Sequence, residues 1–556
     1  MARRFGWLSG RYRTLLSVLV GYGALSAAFF GTQILRAPGH AAIGSGKYPD
    51  DPSLFMWMLA WWPHALGHGL HPLITRLLFA PDGFNLTWTT SIPGPSLAVA
   101  PITVLAGPAV AYNVLALLAP ALNGFTAFLL CRHVTGRVLP SIAGGYVFGF
   151  SSYVLGALEG GHVHLSLVAL LPLCVLLVLR HLDGSLGSRR FVALLAAVLA
   201  AQFLISTEVL LTLTMIGGLA LAVALIRPEQ RGRILRTGRL IALAYAGMAV
   251  VVSPLIYYML FKAGTQPHVS PQVYSSDLAN FVIPTALTRV GGGHFHSISR
   301  DFSGNLSEQG AYVGLPLLVI VGMFAATRRK HAGDWVLVAC FAASGVLALG
   351  PLLHVGGTWT GANMPWEPLT HLPLVRHAIP DRMVAYAFLA AALIVALWLA
   401  RRPSLGRWLL AALAIVALVP NRDLRQYHES YSPPRFITQG AYKQWLHPRD
   451  RVLVLPFRGG RPMRWQAQAE MRFALVGGYA QHLPRSYRRW PIVAALESNA
   501  PGRGAEAELA PFLAAKRVTA IVVDERRRGR WPRILERLRL SPTHVSGVLL
   551  YRLPRQ

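Results

Sequence analysis

Apolar runs long enough to cross a bilayer recur along this chain, and a water-soluble fold has no place for so many of them. A helical span needs roughly 20 mostly apolar residues. Runs of that order lie at 14–35, 109–131, 138–157, 163–180, 191–206, 208–226, 240–261, 310–326, 334–350, 383–400 and 408–420. An all-α polytopic membrane domain of about eleven transmembrane helices is therefore expected over residues 1–420. The first run follows Arg3, Arg4, Arg11 and Arg13 and is not followed by a small-residue cleavage pattern, so it reads as a retained signal anchor.

A net charge of +30 ordinarily points to nucleic acid, but the arginines fall in short loops between apolar runs and in the tail. Membrane topology explains the loop charges, and no nucleic-acid partner is expected. Ser91 to Gly107 is short and broken by Pro93, Pro95 and Pro101, which reads as a re-entrant or surface-lying piece. Left out of the span count, it puts 20 of the 28 basic residues before position 421 on the cytoplasmic side, as the positive-inside rule requires. The N-terminus is then inside and the C-terminus outside. Asp50, Asp51, Glu208, Glu308 and Asp381 all fall on the outer side. So do three long loops, 36–108, 262–309 and 351–382, a length uncommon without a task. Arg outnumbers Lys 48 to 5, a bias that suits a GC-rich bacterial genome and hence a bacterial cytoplasmic (inner) membrane. Cys131, Cys174 and Cys340 sit inside apolar runs, match no disulfide or metal spacing, and read as small packing residues.

After Pro420 the apolar runs shorten and charge rises, marking residues 421–556 as a separate extracytoplasmic domain. Arg451 to Phe457, Val518 to Val523 and Gly547 to Leu553 read as strands; Arg464 to Ala474, Leu509 to Lys516 and Trp531 to Leu540 read as helices. The pattern predicts a small α/β domain. Its 25 basic and 10 acidic residues favour contact with anionic headgroups or an anionic glycan, or else mark an ordinary solvated surface rich in Arg. The tail shows no catalytic motif.

The first outer loop is the most informative stretch. It runs from Lys47-Tyr-Pro-Asp-Asp-Pro52 into Ser-Leu-Phe-Met-Trp-Met-Leu-Ala-Trp-Trp-Pro-His64. Trp57, Trp61 and Trp62 suit a helix lying in the membrane interface, with Asp51 near headgroup depth. Elsewhere in the outer loops, His162 with His164 and His294 with His296 form two His-x-His pairs. His162 and His164 are candidates to orient a substrate or metal, although two histidines alone complete no metal site and loop histidines are commonly solvent or headgroup contacts. Glu308 stands just before the eighth span, a place from which to orient an acceptor or metal and also one that favours a negative charge at a helix N-terminus, two roles that do not exclude each other. Glu208, in a tight turn between two spans, is a further candidate near a cavity or the lipid boundary. No cofactor is implied with certainty; a divalent cation stays open.

A carboxylate just after the first span, followed by interfacial aromatic residues, resembles the multi-span superfamily C of glycosyltransferases, which take sugars from polyprenyl-phosphate carriers. The stretch Asp51-Pro-Ser-Leu-Phe-Met-Trp-Met-Leu-Ala-Trp-Trp-Pro-His-Ala-Leu66, with Leu78-Phe-Ala-Pro-Asp-Gly-Phe-Asn-Leu86 and Gly161-His-Val-His-Leu165, resembles a group of bacterial membrane proteins placed with that superfamily. The resemblance implies Asp51 as the general base that deprotonates an acceptor hydroxyl, with Asp50 as alternative or partner, and inversion at the anomeric carbon. It also implies a cationic site for the leaving lipid phosphate. Arg376 and Arg382, in Val375-Arg-His-Ala-Ile-Pro-Asp-Arg-Met383, are the candidates, unless they only snorkel to headgroups. The implied partners are a polyprenyl-phosphate sugar donor, membrane lipids, and an envelope glycan, lipid or protein acceptor. A lipid-linked glycan transporter or flippase and a non-catalytic assembly scaffold are the competing readings. The first predicts repeats and mid-span charges that are scarce here; the second rests on the basic tail alone. Walker, dinucleotide and serine-elbow motifs are missing.

Overall fold

The computed structural model describes residues 2–44, 50–262, 270–327, 333–424, 427, 429–430, 433–480 and 483–554. Lys47 to Pro49, the Arg328 to Lys330 loop and residues 263–269 of the second long loop lie outside them.

Among the described residues eight helices are long and apolar enough to cross a membrane: Tyr12–Phe30, Pro108–Thr135, Val138–Glu159, Val163–Leu182, Ser188–Ile205, Thr207–Ala224, Pro228–Val251 and Pro380–Arg401. Three shorter apolar helices, Leu315–Thr327, Asp334–Ala348 and Leu405–Ala417, occupy the places expected for the eighth, ninth and eleventh spans. At 13, 15 and 13 residues they fall short of a full hydrocarbon crossing by themselves. The seventh expected span is also shifted. Its helix runs Arg231–Val251 and a separate helix, Ser253–Phe261, follows. Hydropathy hid the basic first turns, and Pro254 interrupts the hydrogen-bond ladder where the run was expected to continue.

The chain forms two compact units. The first comprises residues 1–35, 114–252 and 269–428 and holds most of the long helices. Its centre is Val384–Arg401, buried from Val384 to Leu399. Helix Val138–Gly149 lies against it so closely that a Cβ on Gly144 would stand 2.6 Å from the Ala392 carbonyl oxygen and 2.8 Å from Cys131 Sγ. Small residues let helices approach in this way in lipid, where apolar burial gives no bias between them. Cys131 is thus a packing residue. Arg401 grips Asp334 bidentately, at 2.5 and 2.7 Å, which fixes the ends of two helices together.

The second unit comprises residues 36–113, 253–268 and 429–556. Its sheet has five strands in the order 543–545, 548–552, 520–524, 451–455, 474–475. Arg451–Leu455 runs parallel to Ala520–Asp524 and to Ala474–Leu475, whereas Val548–Arg552 is antiparallel. Strands 451–455 and 520–524 are almost wholly buried, which is why both read as continuous apolar runs. The tail does not pack by itself: Ala41–Ala42 pairs with Glu429–Ser430, and helix Asp50–Gly67 packs on helix Arg461–Gln468.

That packing corrects the reading of the tryptophans. Trp57, Trp61 and Trp62 are 0%, 1% and 5% exposed, so they are core residues and not headgroup anchors. Their indole N–H groups donate to Gln466 Oε1 at 2.6 Å, the Pro72 carbonyl at 2.8 Å and the Ser91 carbonyl at 2.8 Å. A helix apolar on every side is one that the protein surrounds. The segment from Ser91 to Gly107 forms two short helices, Pro93–Ala98 and Ala100–Ala106, on which Val104 and Leu105 are exposed.

Candidate functional site

Asp50 and Asp51 open the helix Asp50–Gly67, where two carboxylates complement the exposed N–H groups and the positive end of the helix dipole. The two point into different surroundings. Asp51 Oδ1 accepts a hydrogen bond from the Tyr479 hydroxyl at 3.0 Å. Burial, with Asp51 and Asp50 adding to it, pushes the Tyr479 phenol far above its ordinary value, so the hydroxyl keeps its proton and donates it. Asp50 Oδ1 accepts from the Gly460 N–H at 2.9 Å. Burial pushes the Asp50 carboxyl above the usual carboxylate value and Asp51 adds to the push, while the Gly460 bond and the charges of Arg458 and Arg461 pull the other way.

Asp50, and not Asp51, lines a cleft of about 310 Å³. Its walls come from the carboxyl end of strand Arg451–Leu455, the loop Pro456–Gly460, the start of helix Arg461–Gln468, the turn at Glu497–Asn499, and the segment from Asp524 to Arg527. Ligands in α/β sheets gather at the carboxyl ends of parallel strands. The loop approaches Asp50 as only glycine permits. A Cβ on Gly460 would lie 2.5 Å from the Asp50 carbonyl oxygen and from Ser53 Cβ, and one on Gly459 (φ +105°) would lie 2.7 Å from Asp50 Oδ1. Burial likewise raises the Glu497 carboxyl, against the pull of Arg458 and with a push from Asp50. The cleft therefore joins a half-buried carboxylate, raised above its usual value by burial, to three guanidinium groups, Arg458, Arg461 and Arg527.

Sequence reasoning nominated both aspartates and did not reach the loop, Tyr479 or Glu497, which the structure places beside them. The available signal was the run Phe457-Arg-Gly-Gly-Arg461 directly after an apolar strand, a glycine-rich turn at a strand's carboxyl end.

The other candidates lie in the first unit. Arg382 is 3% exposed and donates from Nη2 to Glu308 Oε1 at 3.2 Å, with Nη1 3.8 Å from Asp381 Oδ2. Glu308 also accepts from the Ser307 hydroxyl at 2.7 Å, and Asp381 from the Ser276 hydroxyl at 2.6 Å. The Arg382 charge is thus matched by buried carboxylates, an arrangement suited to holding a loop in place. Glu208 Oε1 accepts the Ile379 N–H at 2.8 Å, pinning the segment that leads into Asp381 and Arg382. Arg376 is exposed and its Nε donates to His377. His162 and His164 face each other edge to face at 6.0 Å, and His294 and His296 are exposed. Among the described residues no three His, Cys, Asp or Glu side chains are grouped to hold a metal ion. The structure therefore brings Glu308 together with Arg382 in the first unit, and Asp50 together with Arg458 and Arg461 in the second.

Among solved structures the chain aligns with the arabinofuranosyltransferase AftD from Mycobacteria at a TM-score of 0.63 and 15% identity, over 98% of this chain and 40% of that one. A mutant form of the same enzyme aligns at 0.60 and 16% identity, over 98% and 42%. The archaeal oligosaccharyltransferase AglB from Archaeoglobus fulgidus gives 0.47 and 12% identity, over 92% and 69%. The likeness to AftD shows a shared fold, and this chain spans about two fifths of that enzyme's length. No curated protein matches it in sequence. A family model described as Domain of unknown function (DUF6311) matches residues 18–424, most of the chain, and the chain belongs to that family.

Proposed function

We propose that this protein is a polyprenyl-phosphate-sugar-dependent glycosyltransferase that moves a sugar onto an envelope glycan, lipid or protein on the outer face of a bacterial inner membrane. The observation that carries the reading is the Asp50–Asp51 pair at the head of a buried helix, with Asp50 opening onto a cleft lined by arginines. The fold shared with AftD supports it. In this account the eight long helices and three shorter apolar ones make an eleven-span, N-in and C-out domain, and the second unit's sheet lies outside the cytoplasm.

The chemistry follows from one base. A carboxylate of the pair takes the proton of the acceptor hydroxyl as its oxygen bonds to the anomeric carbon. The bond from that carbon to the donor phosphate breaks with its electron pair, and the carrier leaves as polyprenyl phosphate. A single displacement inverts the configuration. Asp51 is the base inferred from sequence; Asp50 has the carboxylate that faces the cleft, and Tyr479 and Gly460 hold the two in place.

The test is a transfer assay with purified protein, a panel of polyprenyl-phosphate sugars and a membrane-glycan extract, reading release of polyprenyl phosphate and the product's anomeric configuration. An inverted product, with turnover cut roughly 100-fold or more by Asp50→Asn or Asp51→Asn, is expected. Turnover that neither variant reduces, or a retained configuration, overturns the reading.

A further inference from the structure

A transfer of this kind expels a phosphate, yet the arginines nominated from sequence are engaged otherwise. Arg382 is buried against Glu308 and Asp381, and Arg376 donates to His377. The cleft at Asp50 has its own cations. Arg458 stands in the loop after strand Arg451–Leu455, is exposed, and lines the cleft with Arg527. Among the described residues its guanidinium makes no ion pair within 4 Å, so its charge is not neutralised by a direct partner.

The spacing fits the reaction. Arg458 acts electrostatically on both Asp50 and Glu497 but lies beyond ion-pair distance of either. In-line displacement needs this separation, because base and leaving phosphate stand on opposite sides of the anomeric carbon with a sugar ring between them. The cleft, about 310 Å³, has the size of a small ligand head and not of a polyprenyl chain. Gly459 and Gly460 bring the loop's backbone onto Asp50, and this approach fixes where Arg458 begins.

We infer that Arg458, with Arg527 in the same cleft, holds the phosphate of the polyprenyl-linked donor and stabilises the extra negative charge it gains when the glycosidic bond breaks. The carrier's identity rests on the transferase reading above; the phosphate site does not. Arg suits this role because its fork offers two parallel N–H donors to phosphate oxygens, which a lysine cannot match.

The experiment measures binding of farnesyl phosphate, inorganic phosphate and farnesol to the full chain in zwitterionic nanodiscs, comparing wild type with Arg458→Ala, Arg458→Lys and the surface control Arg533→Ala. Arg458→Ala should weaken farnesyl phosphate binding about tenfold or more, Arg458→Lys less, and Arg533→Ala hardly at all, with farnesol unaffected throughout. Loss for farnesyl phosphate alone supports a site read together with its lipid; equal loss for inorganic phosphate supports a site for phosphate from either source. A wild type that binds neither phosphate, or an Arg458→Ala variant within about twofold of wild type, overturns the inference. A protein that binds farnesyl phosphate through Arg458 yet transfers no sugar from any donor contradicts the transferase reading and leaves the phosphate site standing.

Discussion

Gly460 donates its N–H to Asp50 Oδ1 across 2.9 Å, joining residues 410 positions apart in the chain. One partner opens a helix after the first span, and the other ends the turn behind a strand of the tail. The bond gives the tail's sheet a direct part in holding the carboxylate on which the proposed chemistry depends.

Since Cβ atoms at 2.5 Å from backbone and side-chain atoms are not tolerated, Gly460→Ala must push the loop off Asp50. The expected cost is about 1–3 kcal/mol, seen as a lower midpoint of thermal unfolding in detergent, together with lost transfer activity. Gly502→Ala, where an added Cβ meets nothing within 4 Å, should leave the midpoint where it is. Equal midpoints for all three proteins would show that the close approach does not matter.

The pH dependence of transfer separates the two aspartates. A base works ionised, and burial raises Asp50 above 3.8, so the acidic limb of kcat/KM should lie above that value if Asp50 is the base. Asp51 adds to the rise, so Asp51→Asn should move the limb to lower pH; Arg458 opposes it, so Arg458→Ala should move it to higher pH. If Asp51 is the base, Asp51→Asn abolishes turnover instead of shifting the limb.

Arg382 and Glu308 should behave as a structural pair. Removing one buried charge strands the other, at a cost of about 3–5 kcal/mol, so Arg382→Met or Glu308→Gln should sharply reduce the folded yield. A double replacement, Arg382→Met with Glu308→Met, should recover much of the loss. An Arg382→Met protein of normal stability but without phosphate binding would return that residue to the role first read from the sequence.

How far the sequence could be read depended on whether a signal was local. The strands at 451–455, 520–524 and 548–552 fall where apolar runs lie, because a buried strand writes itself as such a run. Most helices fall near their runs too; Arg231–Val251 is displaced where arginines enter a helix and Pro254 ends it, and the helix expected from Arg464 to Ala474 is Arg461–Gln468, with Ala474 in a strand. Asp50 and Asp51 were nominated from their place after the first span, and the structure puts them at the head of one helix. Their partners were not: Gly460, Arg458, Tyr479 and Glu497 lie about 400 residues further on, and nothing in a single sequence records that contact. The tryptophans misled for a related reason. An aromatic-rich helix in an outer loop looks interfacial until the surfaces that bury it, with Gln466 at their centre, are known.

Gln466 is fully buried and satisfies three groups: it accepts from Trp57 Nε1 at 2.6 Å and donates to the carbonyls of Leu77 at 2.9 Å and Phe473 at 2.5 Å. Gln466→Leu would leave all three unmet at similar volume. A loss of about 2–4 kcal/mol is expected, read as reduced thermal stability, with Trp57→Phe milder because it removes only one bond. Wild-type stability in Gln466→Leu would contradict the packing of helix Asp50–Gly67 on the tail.

The central claim is that this chain transfers a sugar using the Asp50–Asp51 pair. Its most direct test is mass spectrometry of envelope glycolipids and glycans from a deletion strain complemented with wild type, Asp50→Asn or Asp51→Asn, at equal membrane expression. The account predicts that one glycosylated species disappears on deletion and returns with wild type but not with the variant lacking the base. Full restoration of the envelope by both carboxamide variants would contradict it.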